Sequence, residues 1–427
     1  MEIRKVIKSG SVKDFSSLFF SNVLQKLFGL IREIIVASVF GSTLIYANYL
    51  LLRTVADFFS QFTVGNALKT NLLPKFTKVL EKYKEVSLTK VFDFSKKTMV
   101  LLFVLSQIIQ FFIIWYLDTD YTLELILISV LLSLSISFNF LNTIYLTFIQ
   151  AQGKFIKYSL VTTLNSFLVV ILIKPLTLLC DIVGLALSRI FGILTLTFYY
   201  ILPMNKQHEG FEVELSRKDF NFPTLILGNF ANIIILSSRF VSGADGGNGI
   251  AYFTYSVFIL NAFLTSIVGN ISTLLLRKVS IKKNNMFMFY SLTISIVVGI
   301  SLVLGLEFYG FEIIKLVYMR GEFNIDDVEQ TTEFIKNLSY CFIMIFIATT
   351  LFQPFFSLDI TSTRKVRGVI SLIFIVTIVS GILFTITDSR FGVNIESIIV
   401  MYSSSIISVI LSIYSYYYYL RKHNESF

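Results

Sequence analysis

Charge is scarce in this chain. Asp, Glu, Lys and Arg make up 15% of its 427 residues, whereas a soluble domain covers its surface with roughly a quarter charged residues. Hydrophobic residues fill 55% of the sequence and mean hydropathy is +0.76, a balance that excludes a soluble globular fold. Cysteine is scarcer still. Cys180 and Cys341 lie in or at the end of apolar stretches, which argues against a disulfide framework. The two histidines, His208 and His423, fall in polar segments and form no metal-ligand pattern. Paired carboxylates at workable spacing are missing, and so is any sizeable polar insertion on the acidic side of the chain. Glycan-polymerising or ligating chemistry therefore lacks its residues, and no cofactor is expected.

What is present in abundance is apolar sequence in blocks of about 20 residues, enough to cross hydrocarbon as helices. We read about twelve spans, near 14–40, 43–68, 98–117, 123–149, 155–179, 181–203, 220–241, 249–276, 286–306, 330–356, 366–387 and 397–420. A transmembrane β-barrel would show weak alternation over about ten residues instead. The first span is too long for a signal peptide and has no small-residue cleavage site, so it is expected to stay.

Basic residues alternate along the connections. Lys75, Lys82, Lys90, Lys96 and Lys97 crowd the second, Lys154 and Lys157 the fourth, and Arg217 and Lys218 the sixth. Arg277 and Lys278 lie in the eighth, Arg364 and Lys365 in the tenth, and both termini are basic. The other connections carry Asp118, Asp181, Asp245, Glu322, Asp326, Asp327 and Asp388. The positive-inside rule then predicts cytoplasmic termini. The net charge of +9 is accounted for by that orientation, with no nucleic-acid partner implied. Trp115, Tyr116 and Tyr121 mark the outer interface and Tyr416 to Tyr419 the inner one.

The chain also repeats itself. Gly65-Asn66 is followed by an apolar stretch and a basic exit, and Gly269-Asn270 by the same. The tail Gln150 to Lys157 is similar to Asp359 to Arg367. These matches suggest two six-helix lobes, 1–205 and 206–427, as a parallel repeat about an axis along the membrane normal.

Polar residues inside the spans are candidates for function, because a charge at mid-bilayer costs about 2.5–3.5 kcal/mol on insertion scales. In the first span Asn22, Gln25, Lys26, Gly29, Arg32 and Glu33 form one stripe at helical period, predicted to face a water-filled interior. The second span adds Arg53 and Asp57, four apart and able to pair. Arg189 lies in the sixth, Arg239 near the outer end of the seventh and Asn261 in the eighth. Arg239 has a second reading, as a side chain that snorkels to the interface, and the amides have one as interhelical glue. Lys26, Arg32, Arg53, Arg189 and Arg239 outweigh Glu33 and Asp57. Such an excess suits an anionic substrate such as a phosphate or diphosphate.

At these residues the chain resembles a family. Lys26-Leu27-Phe28-Gly29-Leu30-Ile31-Arg32-Glu33, running on to Phe40-Gly41, is similar to the opening helix of MurJ-type lipid II flippases. Leu72-Leu73-Pro74 resembles the end of their second helix, Arg320-Gly321-Glu322-Phe323 an outer loop, and Phe356 to Arg364 the exit of the tenth. That family belongs to the MOP exporter superfamily, with the MATE transporters and Wzx-type polysaccharide flippases. The resemblance implies an all-α polytopic membrane protein of two six-helix lobes around a cationic cavity, working by alternating access. It also implies an undecaprenyl-diphosphate-linked sugar as cargo, either lipid II or an O-antigen, capsule or exopolysaccharide repeat unit. Lys26, Arg32 and Glu33 inherit a substrate-binding role by motif match. The expected partners are the lipid-linked oligosaccharide and the bilayer, the expected state a monomer, and the coupling cation, H+ or Na+, is open. The alternative is a MATE-like cation-coupled exporter, which needs an accessible intramembrane acid. Asp57 and Glu33 are its candidates.

Overall fold

A computed structural model describes residues 10–63, 66–83, 86–117, 122–204, 210–216, 219, 222–263, 286–357, 364–386 and 392–424. The chain is an all-α polytopic membrane protein. In hydrocarbon every backbone N–H and C=O must find its partner within the fold, and helices achieve that locally. In order the helices are α1 (Gly10–Phe40), α2 (Leu44–Thr63), α3 (Asn66–Lys82), α4 (Thr89–Leu117), α5 (Thr122–Ala151) and α6 (Phe155–Cys180). Next come α7 (Val183–Leu196), α8 (Phe222–Val241), α9 (Gly249–Phe263), α10 (Met286–Tyr318), α11 (Ile325–Ser357), α12 (Arg364–Ile386) and α13 (Val393–Asn424). α7 continues through a π turn, Thr197–Ile201, into Leu202–Met204.

Each of the expected spans finds a helix, with different ends. α4 starts nine residues before the expected 98, and α10 runs on to Tyr318 rather than stopping near 306. The apolar window marks the hydrocarbon, while helix-forming polar residues such as Lys96, Glu307 and Glu312 extend the helix beyond it. The span read as 43–68 is two helices, α2 and the amphipathic α3, which buries Leu72 and Phe76 four residues apart. Among the described residues seven helices are long and apolar enough to cross a membrane, and three shorter apolar stretches lie in α8, α9 and α12. α1 and α2 are outside this set, and they carry Lys26, Arg32, Glu33, Arg53 and Asp57. The repeat segment Gly269 to Lys278 and most of Asp359 to Arg367 lie outside the described residues.

The chain forms two compact units: residues 1–36 with 55–221, and 37–54 with 222–427. In the first, α4 packs on α5, α5 on α7, α6 on α7 and α3 on α5. A ladder of small polar groups joins α4 to α5. Gln107 Nε2 donates to Ser133 Oγ at 2.8 Å, and Ser133 donates to Ser106 at 2.9 Å. This is the glue expected where apolar burial alone gives helices no reason to associate.

At the basic end of this unit the connection after α7 is clipped to the α3–α4 loop. Strands β1 (Val86–Ser87) and β2 (Phe211–Glu212) pair in parallel. Tyr83 stacks on Phe211 with ring centroids 3.9 Å apart. Lys90 pairs with Glu212 at 2.9 Å and also with Glu214. Lys75 reaches the Glu214 carbonyl and Asp219 Oδ2, both at 2.7 Å. Hydrogen bonding to Lys90 holds the Glu214 carboxyl below its ordinary range. Burial pushes Asp219 up, but hydrogen bonds from Lys75 and Ser216 outweigh it and leave its pKa lowered.

In the second unit α10 packs on α11, α11 on α9 and α13, and α8 on α12 and α13. The hairpin 37–54, made of the end of α1 and most of α2, is embedded here. Its turn interlocks with the loop between α10 and α11. The Glu322 amide donates to the Ser38 carbonyl at 3.1 Å. A Cβ on Gly321 would sit 2.0 Å from that same oxygen, and one on Gly41 would sit 2.6 Å from the Glu322 carbonyl. Both glycines have positive φ, +59° and +50°, so each is required by backbone conformation as well as by space. Ser42 Oγ donates to Asp327 Oδ1 at 2.5 Å, and Tyr255 donates its hydroxyl proton to the Gly41 carbonyl at 2.8 Å. Tyr46, Tyr255, Tyr318 and Phe323 close over the turn as a fully buried ring cluster, with Tyr255–Phe323 centroids 5.2 Å apart. The Phe40-Gly41 and Arg320-Gly321 motifs are thus two halves of one contact.

Candidate functional site

α1 presents two adjacent polar stripes with different tasks. Ser21, Gln25 and Phe28 face α6. Ser21 Oγ donates to the Ser159 carbonyl at 3.1 Å and lies 2.7 Å from Thr163 Oγ1. Gln25 Nε2 donates to Ser21 at 2.8 Å and to Thr162 at 3.2 Å, and Phe28 meets Phe167 at 5.5 Å. This face is protein–protein glue, which corrects the expectation for Gln25: it is tied into α6 rather than turned to a hydrated space.

One residue further round the helix run Asn22, Lys26, Gly29 and Glu33. Asn22 and Lys26 are exposed, Gly29 is half-buried, and Glu33 is 1% exposed. Arg32 folds back on its neighbour. Its Nε donates to Glu33 Oε1 at 3.1 Å and its Nη2 at 2.5 Å. Neighbours in a helix do not ordinarily face one another, so this contact uses the length of the arginine stem. The carboxylate is buried, while the guanidinium keeps 26% of its side chain open. Two N–H groups are spent on Oε1, and the rest of the fork stays available to an anion.

In the same unit Asp57 of α2 receives a hydrogen bond from Arg189 Nη2 of α7 at 3.2 Å. Both side chains are partly open, at 18% and 25%. The Nη1 atom of Arg189 is buried without a hydrogen-bond partner among the described residues. Spacing in the sequence offered Arg53 as the partner for Asp57, and a partner 132 residues away is not legible there.

In the second unit Arg239 is 7% exposed and donates from Nε to Thr54 Oγ1 at 2.8 Å. Thr54 in turn donates to the Leu50 carbonyl at 2.7 Å. Arg239 therefore does not snorkel: its head group is buried against the embedded hairpin. Arg53 is half-buried on that hairpin, and Asn261 is half-buried on α9.

Glu33 and Asp57 each contact an arginine, and the candidate set as a whole holds five basic residues against these two acids. No cluster of metal-ligating side chains occurs among the described residues. Sequence reasoning missed Asp327 as a buried group, 3% exposed. The signal was present in Asn324-x-x-Asp327, where the Asn324 side chain accepts from the Asp327 amide and the Asp327 side chain from the Asn324 amide, both at 3.0 Å. That reciprocal arrangement opens α11.

No protein-family model and no curated protein matches the sequence. Solved structures do. The lipid II flippase MurJ in an inward closed conformation aligns with a TM-score of 0.76 at 19% identity, covering 95% of this chain and 87% of that one. An outward-facing multidrug resistance MATE family transporter of the MOP superfamily aligns with a TM-score of 0.59 at 13% identity, covering 99% of both chains. An inward-facing conformation of such a transporter gives a TM-score of 0.57 at 14% identity, covering 92% of this chain and 94% of that one. At such identities the likeness is one of fold: this chain has the fold of the MurJ and MATE structures it aligns with.

Proposed function

We propose that this protein is a transporter, a flippase that moves an undecaprenyl-diphosphate-linked sugar from the cytoplasmic to the outer leaflet by alternating access of its two six-helix lobes. The cargo is lipid II or a polysaccharide repeat unit. The observation that carries this reading is Arg32: a guanidinium whose orientation is fixed by a buried glutamate and which still presents free donors. Lys26 lies on the adjoining face of the same helix, and Arg53, Arg189 and Arg239 add positive charge on other helices. A diphosphate is the chemical group such donors recognise best.

The test is a flipping assay. Purified protein in proteoliposomes should translocate a labelled undecaprenyl-diphosphate oligosaccharide, and excess unlabelled diphosphate lipid should suppress it. Export of small cations with no effect of the lipid would transfer the assignment to a MATE-like exporter. That second reading has the near-complete MATE alignment behind it. Against it, Asp57 and Glu33, the acids it would use, each carry an arginine.

Orientation is part of the proposal. A cysteine at position 326, in the first turn of α11, should be labelled from outside by a membrane-impermeant thiol reagent, and one at position 154 should not. The reverse pattern would invert the direction of transport.

A further inference from the structure

At the basic end of the first unit, the turn that leads from α5 into α6 borders an open cavity of about 400 Å3 whose lining includes Lys154, Phe155, Ile156, Lys157, Leu160 and Tyr200. Its shape follows from the turn. α5 closes on itself, with the Gly153 amide bonding to the Gln150 carbonyl at 2.9 Å and the Lys154 amide to that of Ile149 at 3.2 Å. Gly153 takes φ +73° to do so, and Lys154 and Lys157 are left exposed on the first turn of α6. Neither ammonium has a carboxylate partner among the described residues. Lys154 caps α6 without a side-chain hydrogen bond, so the amides of that turn add to the positive potential. The opposite wall is Tyr200, carried on the π turn of α7.

Away from the lysines the character changes. Leu160, Leu164 and Ile171 are exposed along one face of α6, at i, i+4 and i+11, and Phe167 between them is part-exposed while also meeting Phe28 of α1. Two cations at the mouth, an aromatic side wall and an apolar track leading into the membrane match one kind of molecule. It has an anionic phosphate head at the interface and acyl chains below. A zwitterionic lipid would place its own ammonium beside two lysines, in a cavity with no acid among its described lining residues. A soluble phosphate would leave the apolar track unused. Basic pockets between helices at the cytoplasmic face are a recognised geometry for anionic head groups.

We propose that this cavity binds one anionic phospholipid of the inner leaflet, at a site separate from the polar stripe of α1 and independent of the cargo. The full chain, purified in detergent, would be titrated with phosphatidylglycerol or phosphatidylcholine and read by native mass spectrometry. Phosphatidylglycerol should be retained and phosphatidylcholine not. The double substitution Lys154→Gln with Lys157→Gln should weaken phosphatidylglycerol retention about tenfold or more. The charge-matched Lys96→Gln with Lys97→Gln, two exposed lysines on α4, should leave it unchanged. Equal weakening by both pairs would mean diffuse attraction to a basic surface and would overturn the proposal, as would equal retention of phosphatidylcholine. Displacement of the lipid by glycerol phosphate at equal concentration would reduce the cavity to a simple anion site and overturn it as well.

Discussion

Replacing Arg32 with alanine should reduce flipping of a diphosphate-linked substrate about a hundredfold or more, with the protein still inserted. The magnitude follows from two charge-assisted hydrogen bonds of about 1.5–3 kcal/mol each. Arg32→Lys should retain part of the activity, because it keeps the charge and loses the fork. The alanine variant alone is ambiguous, since it also strips the buried Glu33 carboxylate of its arginine, and a buried charge deprived of its partner is itself destabilising. The double variant Arg32→Gln with Glu33→Gln removes both charges together and separates the two effects. If Arg32 only neutralises Glu33, that variant transports at the wild-type rate and the substrate role is refuted. If Arg32 holds the diphosphate, the double variant stays inactive while its thermal stability recovers.

The second large effect is expected at Gly321. An alanine there puts a methyl group 2.0 Å from the Ser38 carbonyl oxygen at a φ of +59°. Backbone strain of this kind costs about 1–3 kcal/mol, and the clash is with main chain, which cannot rotate away. The loop should therefore leave the α1–α2 turn. Hydrogen exchange at the Glu322 amide, bonded to the Ser38 carbonyl in the wild type, should accelerate about tenfold to a hundredfold. Gly41→Ala should act at the same place, because its methyl would sit 2.6 Å from the Glu322 carbonyl. Gly305→Ala, at a helical position with nothing within 4 Å, is the control and should leave Glu322 exchange unchanged. Unchanged exchange in Gly321→Ala would mean that the loop and the turn are not mechanically joined.

Much of this architecture was legible in the sequence because a bilayer imposes long apolar blocks, and those blocks mark spans whatever their packing. α5, α6 and α11 appear near their expected places for that reason. Helix ends outside the hydrocarbon obey different rules, and α4 and α10 overran. The period of α1 groups its polar residues on one side of the helix, but period alone cannot tell which polar face meets water and which meets another helix. Gln25 and Lys26 are neighbours in sequence, and only their surroundings divide them: Thr162 of α6 for one, exposure for the other. The Asp57–Arg189 pair and the clip at Tyr83 and Phe211 join residues more than a hundred positions apart. The π turn at Thr197–Ile201 has no sequence signature that we can name.

The clip has a consequence for how this end of the first unit responds to salt. Its fastenings are of two kinds: ion pairs of Lys90 with Glu212 and Glu214 and of Lys75 with Asp219, and a pair of strands with the Tyr83–Phe211 stack. The side chains of Lys90, Glu212 and Glu214 are about half open or more, and ion pairs so exposed are screened as ionic strength rises. Strand hydrogen bonds and stacked rings do not depend on charge, so high salt should loosen the first kind of fastening and leave the second.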